Sequence, residues 1–292
     1  MYKAIAANKR NTLLIMAVFV GLIGAIGWVV SYMYNDTSIA YWVIGAAAVY
    51  AFIQYFFASK LAVAMSGAQE IQKRDNPRFY RIVENLSITL GMTTPKVYII
   101  DDPAPNAFAT GRDPRHAVVA ATTGLISIMD DNELEAVMAH EMGHVKNYDI
   151  RVSMIAFGLV SAIGILSDIV ARLLFFGGDR RDSNSNPIIM IIGIVVIILA
   201  PIIALIVQLA ISRQREYLAD ASGVMTTRDS ESLAKALEKL ELYGQPMKKQ
   251  NSSMAHLFFS NPLIGGGIAK LFSTHPPLQD RIKRLRANAE KF

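Results

Sequence analysis

Four long apolar segments constrain this chain more than any other feature of its sequence. Each is broken by few polar residues, and they run over Leu13–Tyr34, Ile39–Phe57, Met154–Phe176 and Ile188–Ile211. Each has about the 20 residues that a helix needs to cross roughly 30 Å of hydrocarbon. The third segment fits less well, because it contains Asp168 and Arg172, which must pair or face a wet cavity inside a membrane. The sequence therefore predicts a mainly α-helical membrane protein with four hydrophobic segments.

Basic residues flank these segments unevenly, which predicts an orientation by the positive-inside rule. They lie before the first segment, after the second and after the fourth: Lys3, Lys9, Arg10, Lys60, Lys73, Arg74, Arg78, Arg81, Arg213 and Arg215. The loop Asn35–Ser38 has none, whereas Arg180 and Arg181 weakly oppose the pattern. We therefore expect both termini and the large polar segments in the cytoplasm. The net charge of +5 suits anionic lipid headgroups, and no motif suggests a nucleic-acid partner.

The remaining residues form two polar blocks, 59–153 and 212–292. If residues 154–211 form a second transmembrane hairpin, both blocks lie on the same side of the membrane. We expect them to fold together as one discontinuous domain, beside an N-terminal transmembrane hairpin of residues 1–58.

Local patterns predict an α+β domain with a small sheet. Strands are expected over Lys96–Ile100 and His116–Ala121, which are rich in apolar and β-branched residues. Helices are expected over Asn76–Leu90, Asn132–Asn147, Ser230–Leu242 and Pro277–Ala289. The D-x-x-E pattern of Asp130 and Glu133 supplies a start signal for the second of these helices.

The strongest chemical signal is the pentapeptide His140-Glu141-Met142-Gly143-His144. Two histidines four residues apart share one face of a helix, so their imidazoles can bind the same metal ion. Glu141 adjoins the first histidine and can take a proton from a water molecule at the metal. H-E-x-x-H on a helix is the signature of zinc metalloproteases. The sequence therefore predicts one catalytic Zn²⁺ per chain, with Glu141 as the general base.

A catalytic zinc usually has three protein ligands, and the absence of cysteine restricts the third to His, Asp or Glu. Glu216 is a candidate because Asp220, one helical turn further on, can accept a hydrogen bond from a ligating histidine. A glutamate paired with Arg213 or Arg215 at the surface is the competing interpretation. Chemistry alone leaves other glutamates of the second block open as ligands: Glu231, Glu238 and Glu241.

Four motifs stand out along the chain: Asn106-Ala107-Phe108-Ala109-Thr110-Gly111, the His140–His144 pentapeptide, Ser212-Arg213-Gln214-Arg215-Glu216-Tyr217-Leu218-Ala219-Asp220, and His275-Pro276-Pro277. In this order and spacing, and with four hydrophobic segments, the chain resembles the gluzincin peptidases of the HtpX type. These are bacterial membrane proteases related to the CAAX prenyl proteases of eukaryotes. The resemblance covers nearly the whole chain. It implies a gluzincin-type fold, zinc ligation by His140, His144 and Glu216, and Glu141 as general base.

The resemblance also implies a role and a location. Family members cleave misfolded or damaged membrane proteins on the cytoplasmic side of the bacterial inner membrane, so the expected partners are such substrates and the lipid bilayer. For Asn106 it favours a place at the cleft, holding substrate backbone or the oxyanion, over a simple turn after Pro105. His275 is either a helix-start residue or a donor to the tetrahedral oxyanion. The sequence indicates no oligomeric state.

The sequence leaves open the roles of four other polar residues and one alternative function. Asn147 and Asp149 either support the metal-binding helix or end it in solvent, and His116 and His256 match no motif and are expected to be structural or surface residues. The rival function is a membrane adaptor or regulator with a non-catalytic zinc. Glu141 argues against it, because metal ligation alone does not need this residue.

Overall fold

The computed structural model describes residues 2–159, 213–249, 252–260 and 276–289. The fourth apolar segment, Ile188–Ile211, and the candidate residue His275 lie outside the described residues, as do Asp168 and Arg172. Of the third segment only residues 154–159 are described, and they are helical.

Two long antiparallel helices open the chain, α1 (Tyr2–Tyr34) and α2 (Ser38–Ser66). Each contains a stretch long and apolar enough to cross a membrane, Ile5–Ala25 in α1 and the whole of α2. The first two predicted segments are therefore helices with the required length. α1 approaches α2 closely at Gly27, where an added Cβ would lie 2.7 Å from Val43, as small residues allow between membrane helices.

Four exposed aromatic side chains surround the turn that joins these helices. Trp28, Tyr32, Tyr41 and Trp42 are between 64% and 84% exposed. Tryptophan and tyrosine are enriched where a membrane meets water. These exposed aromatic side chains lie near the end of the apolar stretch of α1 and at the start of that of α2.

A small mixed sheet follows, with the strand order β1-β2-β4-β3. Its strands are β1 (Gln69–Glu70), β2 (Lys96–Ile100), β3 (Ala107–Gly111) and β4 (Ala117–Thr122). β2 and β4 are parallel, and the other two pairings are antiparallel. Beyond β3, Phe258 pairs with Phe108 and the Phe259 N–H donates to the Ala107 carbonyl oxygen at 2.8 Å. Residues 258–260 therefore lie along the outer edge of β3.

The sheet contains both predicted strands, the second shifted by one residue, and two strands that were not predicted. β2 has the predicted bounds, but the strand expected from His116 begins at Ala117. The Asp113 carboxylate accepts hydrogen bonds from the N–H groups of Arg115 and His116 and holds residues 114–116 in a 3-10 turn. β1 and β3 were not predicted.

Besides α1 and α2, the described residues form the helices α3 (Pro77–Leu90), α4 (Thr123–Ile128), α5 (Asp131–Lys146), α6 (Arg213–Thr227), α7 (Ser230–Tyr243) and α8 (Leu278–Ala287). Of these, α5 is the central helix. The predicted start of α5 is confirmed, because Asp130 and Glu133 form a reciprocal capping box. Most of α5 is buried, and it packs on α3, α6, α7 and β3. These neighbours hold α5 on several sides, so its side chains present a fixed face to the site.

Candidate metal centre and active site

α5 brings two histidines to one point. His140 and His144 are one helical turn apart, and their Nε2 atoms are 3.1 Å from each other. His140 is 1% exposed, and its ring packs edge-on against Phe259 at 4.8 Å between centroids. Because the helix is held by its buried flanks, the two rings have little freedom to diverge.

α6 brings a carboxylate to the same point. One Glu216 oxygen is 3.8 Å from His140 Nε2, and the other is 3.5 Å from His144 Nε2. The close crossing of α5 and α6 depends on Gly223, since an added Cβ there would lie 3.1 Å from the backbone nitrogen of His140. The structure thus brings together all three residues predicted as ligands.

The three groups fit a single tetrahedral metal ion. Metal–ligand distances of about 2.0–2.1 Å in a tetrahedron place neighbouring ligand atoms about 3.3–3.4 Å apart. Here the two Nε2 atoms are 3.1 Å apart, and they lie 3.5 and 3.8 Å from the two different oxygens of Glu216. One ligand atom from each of the three residues lies within 4.8 Å of the others. Two imidazole nitrogens and a carboxylate leave a fourth position for water, which is the donor set of a catalytic rather than a structural site.

Two further carboxylates orient the histidine rings. Asp220 Oδ1 is 2.9 Å from Nδ1 of His140, and Asp149 Oδ2 is 3.0 Å from Nδ1 of His144. Each Nδ1–H can therefore donate to a carboxylate, which leaves both Nε2 lone pairs directed toward Glu216. Of the two interpretations of Asp149, the structure favours support of the metal-binding helix, because this residue is only 4% exposed.

A buried arginine completes this arrangement and was missed by the sequence analysis. Arg281 of α8 is 0% exposed and donates to both Asp220 oxygens, from Nε at 2.9 Å and from Nη2 at 2.6 Å. Its guanidinium also lies 4.7 Å from the Phe259 ring centroid. Nothing in the local sequence signals this role, since Arg281 is one of four basic residues in the short helix α8.

The surroundings of the two histidines shift their pKa values in opposite directions. Burial lowers the pKa of His140 to about 4, against the opposing hydrogen bond to Asp220. Burial also acts to lower the pKa of His144, but Asp149, Glu216 and Glu141 outweigh it and raise that pKa to about 9. For Asp220, burial is outweighed mainly by the charge of Arg281, so its pKa falls to about 2. Ligation of a metal ion requires both histidines as neutral imidazoles.

A cleft lies in front of the two histidines. It is lined by Glu141, by the candidate ligands and by Ala109, Arg215, His256 and residues 257–259. Glu141 therefore faces the same space as the ligands, as its predicted role requires. The expectation for His256 is met in part. It is buried and its Nε2 lies 3.0 Å from the Ser153 carbonyl oxygen, yet it also lines the cleft. His116 is exposed and pairs with Asp113.

Asn106 is 2% exposed and binds Ser260, the residue after the cleft-lining segment 257–259. Its Nδ2 donates to the Ser260 carbonyl oxygen at 2.8 Å, and its Oδ1 accepts from the Ser260 N–H at 3.1 Å. The amide thereby extends the pairing of β3 with residues 258–260, which border the cleft. Its predicted contact with substrate or oxyanion stays a prediction.

The mixed sheet, the histidine pair on α5 and the glutamate on α6 are the features of a gluzincin-type metallopeptidase. The chain belongs to peptidase family M48, whose sequence profile matches residues 73–289. It is a metalloendopeptidase of that family, as the resemblance implied.

Relatives of the HtpX type match along the whole chain. A protein described as "Protease HtpX homolog" from Tropheryma whipplei strain Twist is 56% identical over 292 residues, which cover 100% of both chains. One with the same description from Lactobacillus helveticus is 44% identical over 295 residues, covering 98% of this chain and 99% of the relative. The crystal structure of S. mikatae Ste24p has a similar fold, with a TM-score of 0.54 at 19% identity, covering 98% of this chain and 67% of that chain.

Proposed function

We propose that this protein is a zinc-dependent endopeptidase in which His140, His144 and Glu216 bind the ion and Glu141 is the general base. The observation that carries the proposal is the convergence of three ligand atoms within 4.8 Å of one another. The carboxylates of Asp220 and Asp149 support it, because each fixes the tautomer that leaves a ligand nitrogen directed at the metal.

The residues of the cleft divide the chemistry between them. When bound, the ion supplies a Lewis acid that lowers the pKa of a water molecule and polarises the scissile carbonyl. Glu141 takes the proton of the attacking water and then delivers it to the leaving amine, which returns the carboxylate to its starting state. His275 and Asn106 remain the candidates for steadying the oxyanion.

The substrate is proposed to be an extended segment of a misfolded or damaged membrane protein. Backbone pairing with a sheet edge reads little sequence, which suits a quality-control enzyme. Residues 258–260 already pair with β3 at Ala107 and Phe108. A substrate strand must therefore pair beyond these residues or displace them.

We further propose that residues 59–153 and 212–292 form one catalytic domain on the cytoplasmic face of a bacterial inner membrane. The distribution of Lys and Arg supports this side. The absence of cysteine allows a direct test by single-cysteine labelling in intact cells. A membrane-impermeant maleimide should label Asp36→Cys, in the α1–α2 turn, and not Arg74→Cys, in the polar block; the reverse pattern would contradict the orientation.

The catalytic assignment is tested by Glu141→Gln. This variant should retain zinc and lose cleavage of a membrane-protein substrate by about 10²–10⁴-fold, because general acid–base catalysis contributes this much. Glu135→Gln, on the same helix and outside the cleft, is the control and should remain active. A chelator should abolish wild-type cleavage and added zinc should restore it. Full activity of Glu141→Gln would show that Glu141 is not the general base. A wild-type protein that binds zinc but cleaves no substrate would favour the adaptor alternative.

A further inference from the structure

The first helix is longer than a membrane crossing requires. α1 has 33 residues, about 50 Å at 1.5 Å per residue, whereas about 20 residues cross the hydrocarbon layer. Its first turns contain Asn8 and Lys9, which lie in the N-terminal part of the apolar stretch Ile5–Ala25. Asn8 is only 4% exposed, so this end of α1 is docked against the protein rather than projecting into solvent.

Asn8 binds the turn that follows α5. Its Nδ2 donates to the Asn147 carbonyl oxygen at 2.9 Å and to Asp149 Oδ1 at 2.6 Å. The other Asp149 oxygen lies 3.0 Å from Nδ1 of His144. A continuous chain of hydrogen bonds therefore leads from the first membrane helix to a candidate metal ligand.

This turn is strained and is held from the same side by the neighbouring residue of α1. Tyr148 has a φ of 62°, in the left-handed region that costs a non-glycine residue about 1–2 kcal/mol. The Lys9 ammonium lies 4.8 Å from the Tyr148 ring centroid, and the Arg151 guanidinium lies 4.9 Å from it. The contact from Lys9 of α1 therefore lies on the residue next to Asp149.

We propose that Asn8 is a positioning residue of the metal centre, acting through Asp149 on His144, so that docking of the first membrane helix sets the affinity of the centre for its ion. The inference rests on the proposed function, since it takes His144 as a ligand. Asn8 does not line the cleft, so its effect is on the geometry of the ligand and not on the substrate. Groups that orient a ligating histidine typically change metal affinity by about 10–100-fold.

The test measures metal affinity of the full-length protein in detergent, by competition with a chromophoric zinc chelator and by the visible absorption spectrum of the Co²⁺ form. Asn8→Ala should weaken zinc binding about 10–100-fold and alter the Co²⁺ spectrum. Thr12→Val is the matched control. Thr12 is one turn further along α1 and 2% exposed, and its hydroxyl donates to the Asn8 carbonyl oxygen within the same helix. It should bind zinc as the wild type does.

The same substitution made in an Asp149→Ala protein shows whether Asn8 acts through Asp149 or only stabilises the fold in general. If Asn8 acts through Asp149, then Asn8→Ala should cause no further loss of affinity in an Asp149→Ala protein. If Asn8→Ala does not fold, Asn8→Ser carries the same test, because its shorter side chain cannot reach Asp149.

Wild-type affinity in the Asn8 variants, additive losses with Asp149→Ala, or an equal loss in Thr12→Val would each overturn the proposal. A wild-type protein that binds no zinc would instead contradict the proposed function itself.

Discussion

Removal of Arg281 should damage both the stability of the fold and the metal centre. In Arg281→Met the side chain keeps most of its length and apolar contact with Phe259, but the two hydrogen bonds to Asp220 are lost. Asp220 is 4% exposed and would keep His140 Nδ1 as its remaining partner among the contacts described above. A carboxylate would thus stay buried with its main counter-charge removed.

The expected cost follows from this burial. Breaking a buried ion pair by removal of one partner costs about 3–5 kcal/mol, whereas exposed pairs are worth about 0–1 kcal/mol. Arg286 provides the matched control, since it lies on the same helix and pairs with Glu231 and Glu238, but it is 44% exposed. Arg286→Met should therefore cost no more than about 1 kcal/mol.

The assay is equilibrium unfolding of the metal-free and zinc-loaded protein in detergent, with zinc affinity measured on the same samples. A double variant, Arg281→Met with Asp220→Leu, should recover much of the stability, because an apolar pair replaces the unpaired charge. It should still bind zinc about 10–100-fold more weakly, because His140 has lost its acceptor. Equal losses of stability in Arg281→Met and Arg286→Met would show that burial of the Arg281–Asp220 pair does not set its contribution.

Three further predictions concern packing and capping. Gly124→Ala should cost about 1–3 kcal/mol in thermal unfolding, because its Cβ would lie 2.1 Å from the Pro103 carbonyl oxygen, whereas Gly143→Ala has 3.5 Å of clearance and should be tolerated; equal effects would contradict the packing. Gly223→Ala should push α6 away from α5 and weaken zinc binding in chelator competition, and unchanged affinity would count against the role of this close crossing. Asp229→Ala should cost about 1 kcal/mol at pH 7, because it removes the N-cap of α7. The pKa of Asp229 lies below its ordinary 3.8, since hydrogen bonds from Ser232 outweigh the effect of burial. The stability that Asp229 contributes is therefore present above pH 3.8 and is lost as pH falls through the lower pKa of the folded protein. A stability difference between wild type and Asp229→Ala that persists well below this pKa would contradict the prediction.

Local signals were sufficient for the elements that carry their own start and stop residues. α3 begins after Asn76, whose side chain accepts from the Phe79 N–H, and it ends at Gly91, which has a φ of 66°. α5 begins at a capping box that is visible as Asp130 and Glu133 in the sequence. The ligand pair His140 and His144 is set by helical periodicity alone, so its convergence could also be predicted.

Other features depend on partners far away in the chain and left no local trace. β3 has few β-branched residues, and it is a strand because β4 and residues 258–260 pair with its two edges. Arg281 reaches Asp220 across 61 positions, and Asn8 reaches Asp149 across 141. A side chain whose partner is chosen by tertiary packing cannot be recognised from its neighbours in sequence.

The proposed chemistry depends on one zinc ion held by two imidazoles of α5 and a carboxylate of α6. X-ray absorption at the zinc edge of purified full-length protein reports the neighbours of that ion. We expect one zinc per chain with only nitrogen and oxygen neighbours at about 2.0–2.1 Å. Two of these neighbours should be imidazoles, and His144→Ala should lose one of them. A protein without zinc, or an imidazole count unchanged in His144→Ala, would contradict it.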